Sequence, residues 1–141
     1  MDLILFIRLR GPELKFELGA GALPSKPDDW VRLQLRVERQ GWLWQREDAC
    51  LQRWELDRLI DWFDAVVKCS DQDHHLDSVD GVLQWSYDHK RTRLIIELRY
   101  EFRPPGTYED VSTPFVIELP AESNELIKTI ARLRANVLEA S

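Results

Sequence analysis

The stretch "WVRLQLRVERQGWLWQRED", residues 30–48, decides how the rest of the chain is read. Val31, Leu33, Leu35 and Val37 alternate strictly with Arg32, Gln34, Arg36 and Glu38. A period of two with one apolar face marks a half-buried antiparallel strand. Gln40-Gly41 reads as a tight turn into "WLWQRED", so residues 30–46 are expected to form a hairpin. Towards the N-terminus the same alternation runs through Leu3, Leu5, Ile7 and Leu9, breaks at Gly11-Pro12 and resumes in "ELKFEL". The segment "GAGALPSKPDD", residues 19–29, is rich in Gly and Pro and reads as a loop.

Beyond the hairpin the period changes. Leu56, Leu59, Ile60, Phe63, Val66 and Val67 recur at helical spacing within "ELDRLIDWFDAVV", although no good N-cap residue precedes them. Two-residue alternation then returns, with Leu83, Trp85 and Tyr87 on one face, followed by Leu94, Ile96, Leu98, Tyr100 and Phe102 up to Pro104-Pro105-Gly106. "PFVIEL" is a further strand, and Leu126, Ile130, Leu133 and Val137 form the stripe of a last helix that Ser123 is placed to cap. The order is strands, helix, strands, helix. The expected fold is α+β: a mostly antiparallel sheet of about six to eight strands, covered on one face by two amphipathic helices. No internal repeat or long linker divides the chain, so residues 1–141 are expected to be a single domain.

The apolar opening "LILFI" is too short to span a bilayer, and with Asp2 before it there is no basic start of a secretory signal. The chain is therefore expected in the cytoplasm, with no membrane partner. Cys50 and Cys69 flank the predicted helix, whose ends lie roughly 22 Å apart at about 1.5 Å per residue. A disulfide needs Cα atoms within about 7 Å, so both are expected to be free thiols.

The formal charge of −6 argues against a nucleic-acid partner, whose binder is normally basic. Residues 1–40 carry a net charge of +1, residues 41–80 a net of −6 and residues 81–141 a net of −1. The imbalance therefore sits in the middle segment. Within it, "SDQDHHLDSVDG" (70–81) has the composition of a metal or acid–base site. Calcium-loop frames starting at Asp71 or Asp73 place Leu76 or Ser78 where the turn glycine belongs, and Val82 or Gln84 where the closing carboxylate belongs. Adjacent His74 and His75 diverge on regular structure, and no zinc spacing occurs. The stretch reads as a solvated loop, and neither metal nor cofactor is expected. No nucleophile elbow, P-loop or dinucleotide fingerprint is present, and catalysis by His74 or His75 requires convergence with nearby aspartates in a pocket. Glu97, Arg99, Glu101 and Arg103 alternate along the predicted strand as its solvated side.

Opposite the apolar face of the first helix, Asp57, Asp61 and Asp64 stack at i, i+4 and i+7. Like charges at that spacing mildly destabilise a helix. The stripe leads into Asp71, Asp73, Asp77 and Asp80, with Glu47 and Asp48 before the helix and Trp54 near its start. Together these ten residues are a candidate acidic surface that steers a basic partner. A plain soluble helix face accounts for the same acids. Trp42 and Trp44 share one strand face and suggest either core or the edge of a small-molecule or carbohydrate site.

Taken in order, "DDWVRLQLRV", "CLQRWELDRLIDWF", "TRLIIELRYEFRPPG" and "FVIELPAESNELIKTIARLR" resemble the WapI-like family of bacterial immunity proteins. The resemblance implies a small α+β protein without a catalytic motif, which neutralises a toxin domain by stoichiometric binding. It transfers no binding residue. If the toxin is a nuclease, its basic substrate-binding surface is the expected counterpart of the acidic residues.

Overall fold

The computed structural model describes residues 4–104 and 113–138. Strands β1 (Ile4–Arg10), β2 (Leu14–Ala20), β3 (Trp30–Arg39) and β4 (Trp42–Gln52) form one antiparallel sheet in that order. Helix α1 (Arg53–Lys68) carries the chain to a second antiparallel sheet. Its strands, again in chain order, are β5 (His74–Asp77), β6 (Leu83–Asp88), β7 (Arg93–Leu98) and β8 (Phe115–Pro120). Helix α2 (Ser123–Leu133) follows and ends in a π-helical turn, Arg134–Leu138. Leu3, Pro105 and Gly106 lie outside the described residues.

The α+β class is as expected, but the strands form two four-stranded sheets and not one large one. The physical reason is coverage. A helix is about 10–12 Å wide and strands lie about 4.8 Å apart, so one helix shields roughly two strands. Two helices cannot roof eight strands, and two one-sided sheets bury their apolar faces more fully against each other. Phe16 of β2 meets Trp85 of β6 edge to face at 6.0 Å, and Trp44 of β4 meets Phe115 of β8 at 5.3 Å. The helices pack on one another, with α2 against edge strand β1 and α1 against β4 and β5.

The alternation read from the sequence sets the inner faces. Val31, Leu33, Leu35 and Val37 are buried, as are Leu83, Trp85 and Tyr87, and Leu94, Ile96 and Leu98. The β3–β4 turn has positive φ at both Gln40 (49°) and Gly41 (82°), the conformation that matches hairpin twist. In β1 the alternation slips: a bulge between Leu5 and Ile7 turns both Phe6 and Ile7 into the core. Gly19 and Ala20, read as loop, extend β2 and pair with Gln34 and Leu33.

Three further expectations are corrected. The strand through residues 94–102 ends at Leu98, because Tyr100 takes φ of +52° and opens a short 3-10 turn, Tyr100–Phe102. Tyr100 is therefore exposed and Arg103 buried, so Glu97, Arg99, Glu101 and Arg103 do not share one solvated strand face. The 70–81 segment is not all loop: His74–Asp77 pairs with β6 as an edge strand, Leu76 opposite Trp85. Finally, Glu122 occupies the cap position of α2, and Ser123 is its first helical residue.

Candidate partner-binding surface

The start of α1 is fixed by a residue whose role is not evident from composition. Glu55 is buried, and its carboxylate accepts the Gln52 backbone N–H through Oε2 and the Val79 backbone N–H through Oε1, each at 2.8 Å. The first bond is half of a capping box, with Gln52 at the cap and Glu55 at the third helical position. The second ties the helix start to the loop before β6. The available signal was Gln-x-x-Glu directly before an apolar helical run, which a search for Ser, Thr, Asp or Asn caps passes over. Beneath it lies a cavity of ≈ 20 Å³, lined partly by Leu59, Leu76, Leu83 and Trp85. That is room for about one water and no more.

The ten predicted residues do not form one continuous surface. Asp57 and Asp61 are exposed on the outer side of α1 and make no ion pair among the described residues. Asp64, the third member of the stripe, is engaged by Lys68 at 2.7 Å and by Arg134 at 3.9 Å. The hydrogen bond from Lys68 is the main reason its carboxyl sits below the usual carboxylate range. Trp54 is half-buried; its indole N–H donates to Gln52 Oε1 at 2.8 Å, and the Arg58 guanidinium lies 5.6 Å from its ring centre. The ring therefore faces a cation of its own helix.

In the 71–80 segment, Asp71 is exposed, while Asp73 accepts the His89 backbone N–H at 3.0 Å and also meets its ring. The backbone bond, reinforced by the ring, lowers the Asp73 pKa. Asp77 lies 2.6 Å from His75 Nε2. His74 Nε2 instead meets the Cys69 carbonyl at 2.9 Å, and His75 Nδ1 meets Ser86 Oγ at 2.9 Å. The two histidines diverge on β5 and do not build a shared pocket.

Glu47 and Asp48 are separated by the strand pleat. Glu47 points outward and pairs with Arg32. Asp48 lies opposite Leu33, on the inner side of the sheet, and is half-buried. One carboxylate oxygen each from Asp48 and Asp80 lies with Cys50 Sγ in a group whose atoms are all within 4.8 Å of one another. Desolvation, followed by the charges of Glu101 and Asp80, raises the Asp48 pKa. Burial raises that of the Cys50 thiol. Both cysteines are free, Cys50 buried and Cys69 exposed. Trp44 is buried against Phe115, whereas Trp42, 4.8 Å from it centre to centre, is exposed.

The fold is α+β with two four-stranded sheets and two helices, and Asp57 and Asp61 on α1 make no ion pair among the described residues. A family model, the Immunity protein WapI-like family, matches residues 5–139, and the chain belongs to that family. No curated protein and no solved structure matches it. No helix among the described residues is long and apolar enough to cross a membrane.

Proposed function

We propose that the chain neutralises a toxin domain by stoichiometric, non-catalytic binding, and that the outer face of α1 is the centre of the contact. Family membership supports the immunity role. The observation that carries the surface is the contrast in charge compensation. Glu47, Asp64, Asp73 and Asp77 each have a cationic or histidine partner, whereas Asp57 and Asp61 project as free charges among the described residues. Uncompensated carboxylates retain their field in solvent and accelerate encounter with a basic surface. Trp54 and Arg58 flank this face and supply the aromatic and guanidinium contact area typical of interface centres. Asp71 extends the face, and the compensated acids contribute less. The partner is a basic protein domain, and the complex forms where the toxin acts or is made.

The test starts with tagged chain used to capture partners from the native organism's lysate at low and high salt, with mass spectrometric identification. The captured domain is then titrated calorimetrically against wild type and the D57K/D61K variant. The expected results are a basic toxin domain, a 1:1 complex, and at least about a tenfold loss of affinity in the variant at low salt. Unchanged affinity and salt dependence in D57K/D61K removes α1 from the interface.

A further inference from the structure

We propose that Asp48, Cys50 and Asp80 form a binding site for a divalent cation of the zinc class. The residues come from two separated parts of the chain, the end of β4 and the turn before β6. One ligand atom from each lies within 4.8 Å of the others. The carboxylates alone are an acidic cluster. What points to a cation is the thiol at its base: Cys50 is 0% exposed, and its sulfur lies within 4.8 Å of an oxygen of each carboxylate. No hydrogen bond from another described residue reaches that sulfur.

Charge leads to the same place. Neither Asp48 nor Asp80 makes an ion pair among the described residues, and Glu101 and Glu55 add negative charge nearby. Arg32 is a cation whose field reaches Asp48, and its guanidinium is already held by Glu47. Residues 105–112 contain no lysine or arginine, so that segment brings no basic side chain to the group.

The donor set selects the metal. Magnesium and calcium favour oxygen ligands throughout, and copper(I) favours sulfur; a mixed thiolate–carboxylate set suits zinc. Ligand atoms around tetrahedral zinc lie roughly 3.5 Å apart, given bonds of about 2.0–2.3 Å. Asp80 Oδ1 accepts the Ser78 hydroxyl at 3.3 Å and the Val82 backbone N–H at 3.2 Å, so closing the group to that spacing exchanges contacts of this carboxylate for the metal. On binding, the S–H bond breaks, the sulfur's electron pair forms the metal–sulfur bond, and the proton leaves to solvent. Three protein ligands leave the fourth position to water. The assignment does not rest on the toxin-binding reading, and its test needs no partner.

Cobalt(II) is the probe, because cobalt–thiolate bonds give a charge-transfer band in the near ultraviolet. Titration of the full chain at mildly alkaline pH is expected to give a saturable band at one equivalent, displaced by zinc but not by magnesium. C69S keeps the band, C50S loses it, and D80N weakens cobalt affinity by at least about tenfold. Circular dichroism establishes that each variant is folded; should C50S unfold, D80N and C69S decide. A wild-type protein with no cobalt–thiolate band overturns the site. So does a band that disappears in C69S, or one of unchanged affinity in D80N.

Discussion

Glu55 shows how much one buried carboxylate contributes when both of its oxygens are engaged. Its two backbone bonds cap α1 and anchor the turn at Val79. Removing the side chain leaves two N–H groups to find other partners, and a cap alone is typically worth about 1 kcal/mol. Glu55→Ala is therefore expected to cost about 2–4 kcal/mol in urea denaturation. Glu55→Gln, which retains one acceptor oxygen, should cost less. Asp48 acts in the opposite sense. Its folded-state pKa is raised, so the folded chain holds a proton that the unfolded chain releases, and stability falls as pH rises from the unfolded value through the folded one. Asp48→Asn is accordingly expected to raise the melting temperature at neutral pH. The gain should vanish in acid below the unfolded pKa, where Asp48 is already neutral; thermal scans across that window test it. The capping half of the Glu55 role is written in Gln-x-x-Glu before an apolar run, but its bond to Val79 is not, and Asp48 meets Asp80 only after the chain has crossed between sheets.

Elements were legible where a period was clean. β3, β6 and the apolar face of α1 follow directly from spacing, because burial on one side enforces the repeat. The pattern failed where backbone geometry interrupted it, at the Phe6 bulge and at Tyr100, whose left-handed φ ends β7 early. Both faults are single-residue events that leave hydrophobicity unchanged. The β3–β4 turn offers a direct test of local geometry. Gly41 at φ +82° tolerates no side chain without strain, so Gly41→Ala should lose about 1–2 kcal/mol in chemical denaturation. Gln40→Asn, which suits the positive φ at that position, should gain a few tenths to about 1 kcal/mol. On α1, only the apolar stripe was fully legible. The acidic stripe looked uniform in sequence, but Lys68 and Arg134 neutralise its last member, and Arg134 arrives from the far end of the chain.

At the scale of the molecule, Trp85 of β6 is the common neighbour of two other elements, β2 and α1. Its ring lies 6.0 Å from Phe16, 5.7 Å from Phe63 and 6.4 Å from Trp62, centre to centre, so it joins both sheets to α1. Trp85→Ala is expected to cost about 3–5 kcal/mol, much of the roughly 5–15 kcal/mol that holds a domain folded. A sharp fall in the urea midpoint is the measurement. The sequence pattern placed Trp85 inside but could not say that a second sheet lay across from it. Apolar strands do not encode their partners, and the division into two sheets depends on what the helices fail to cover. That division has a bearing on synthesis. Each sheet is a meander of strands consecutive in the chain, so every ladder in the first half can close before the second half leaves the ribosome. The first half then waits with one greasy side bare. A gene split in the turn at residues 69–72 would sever no ladder, and the two products should be insoluble apart yet reconstitute a folded whole when made together.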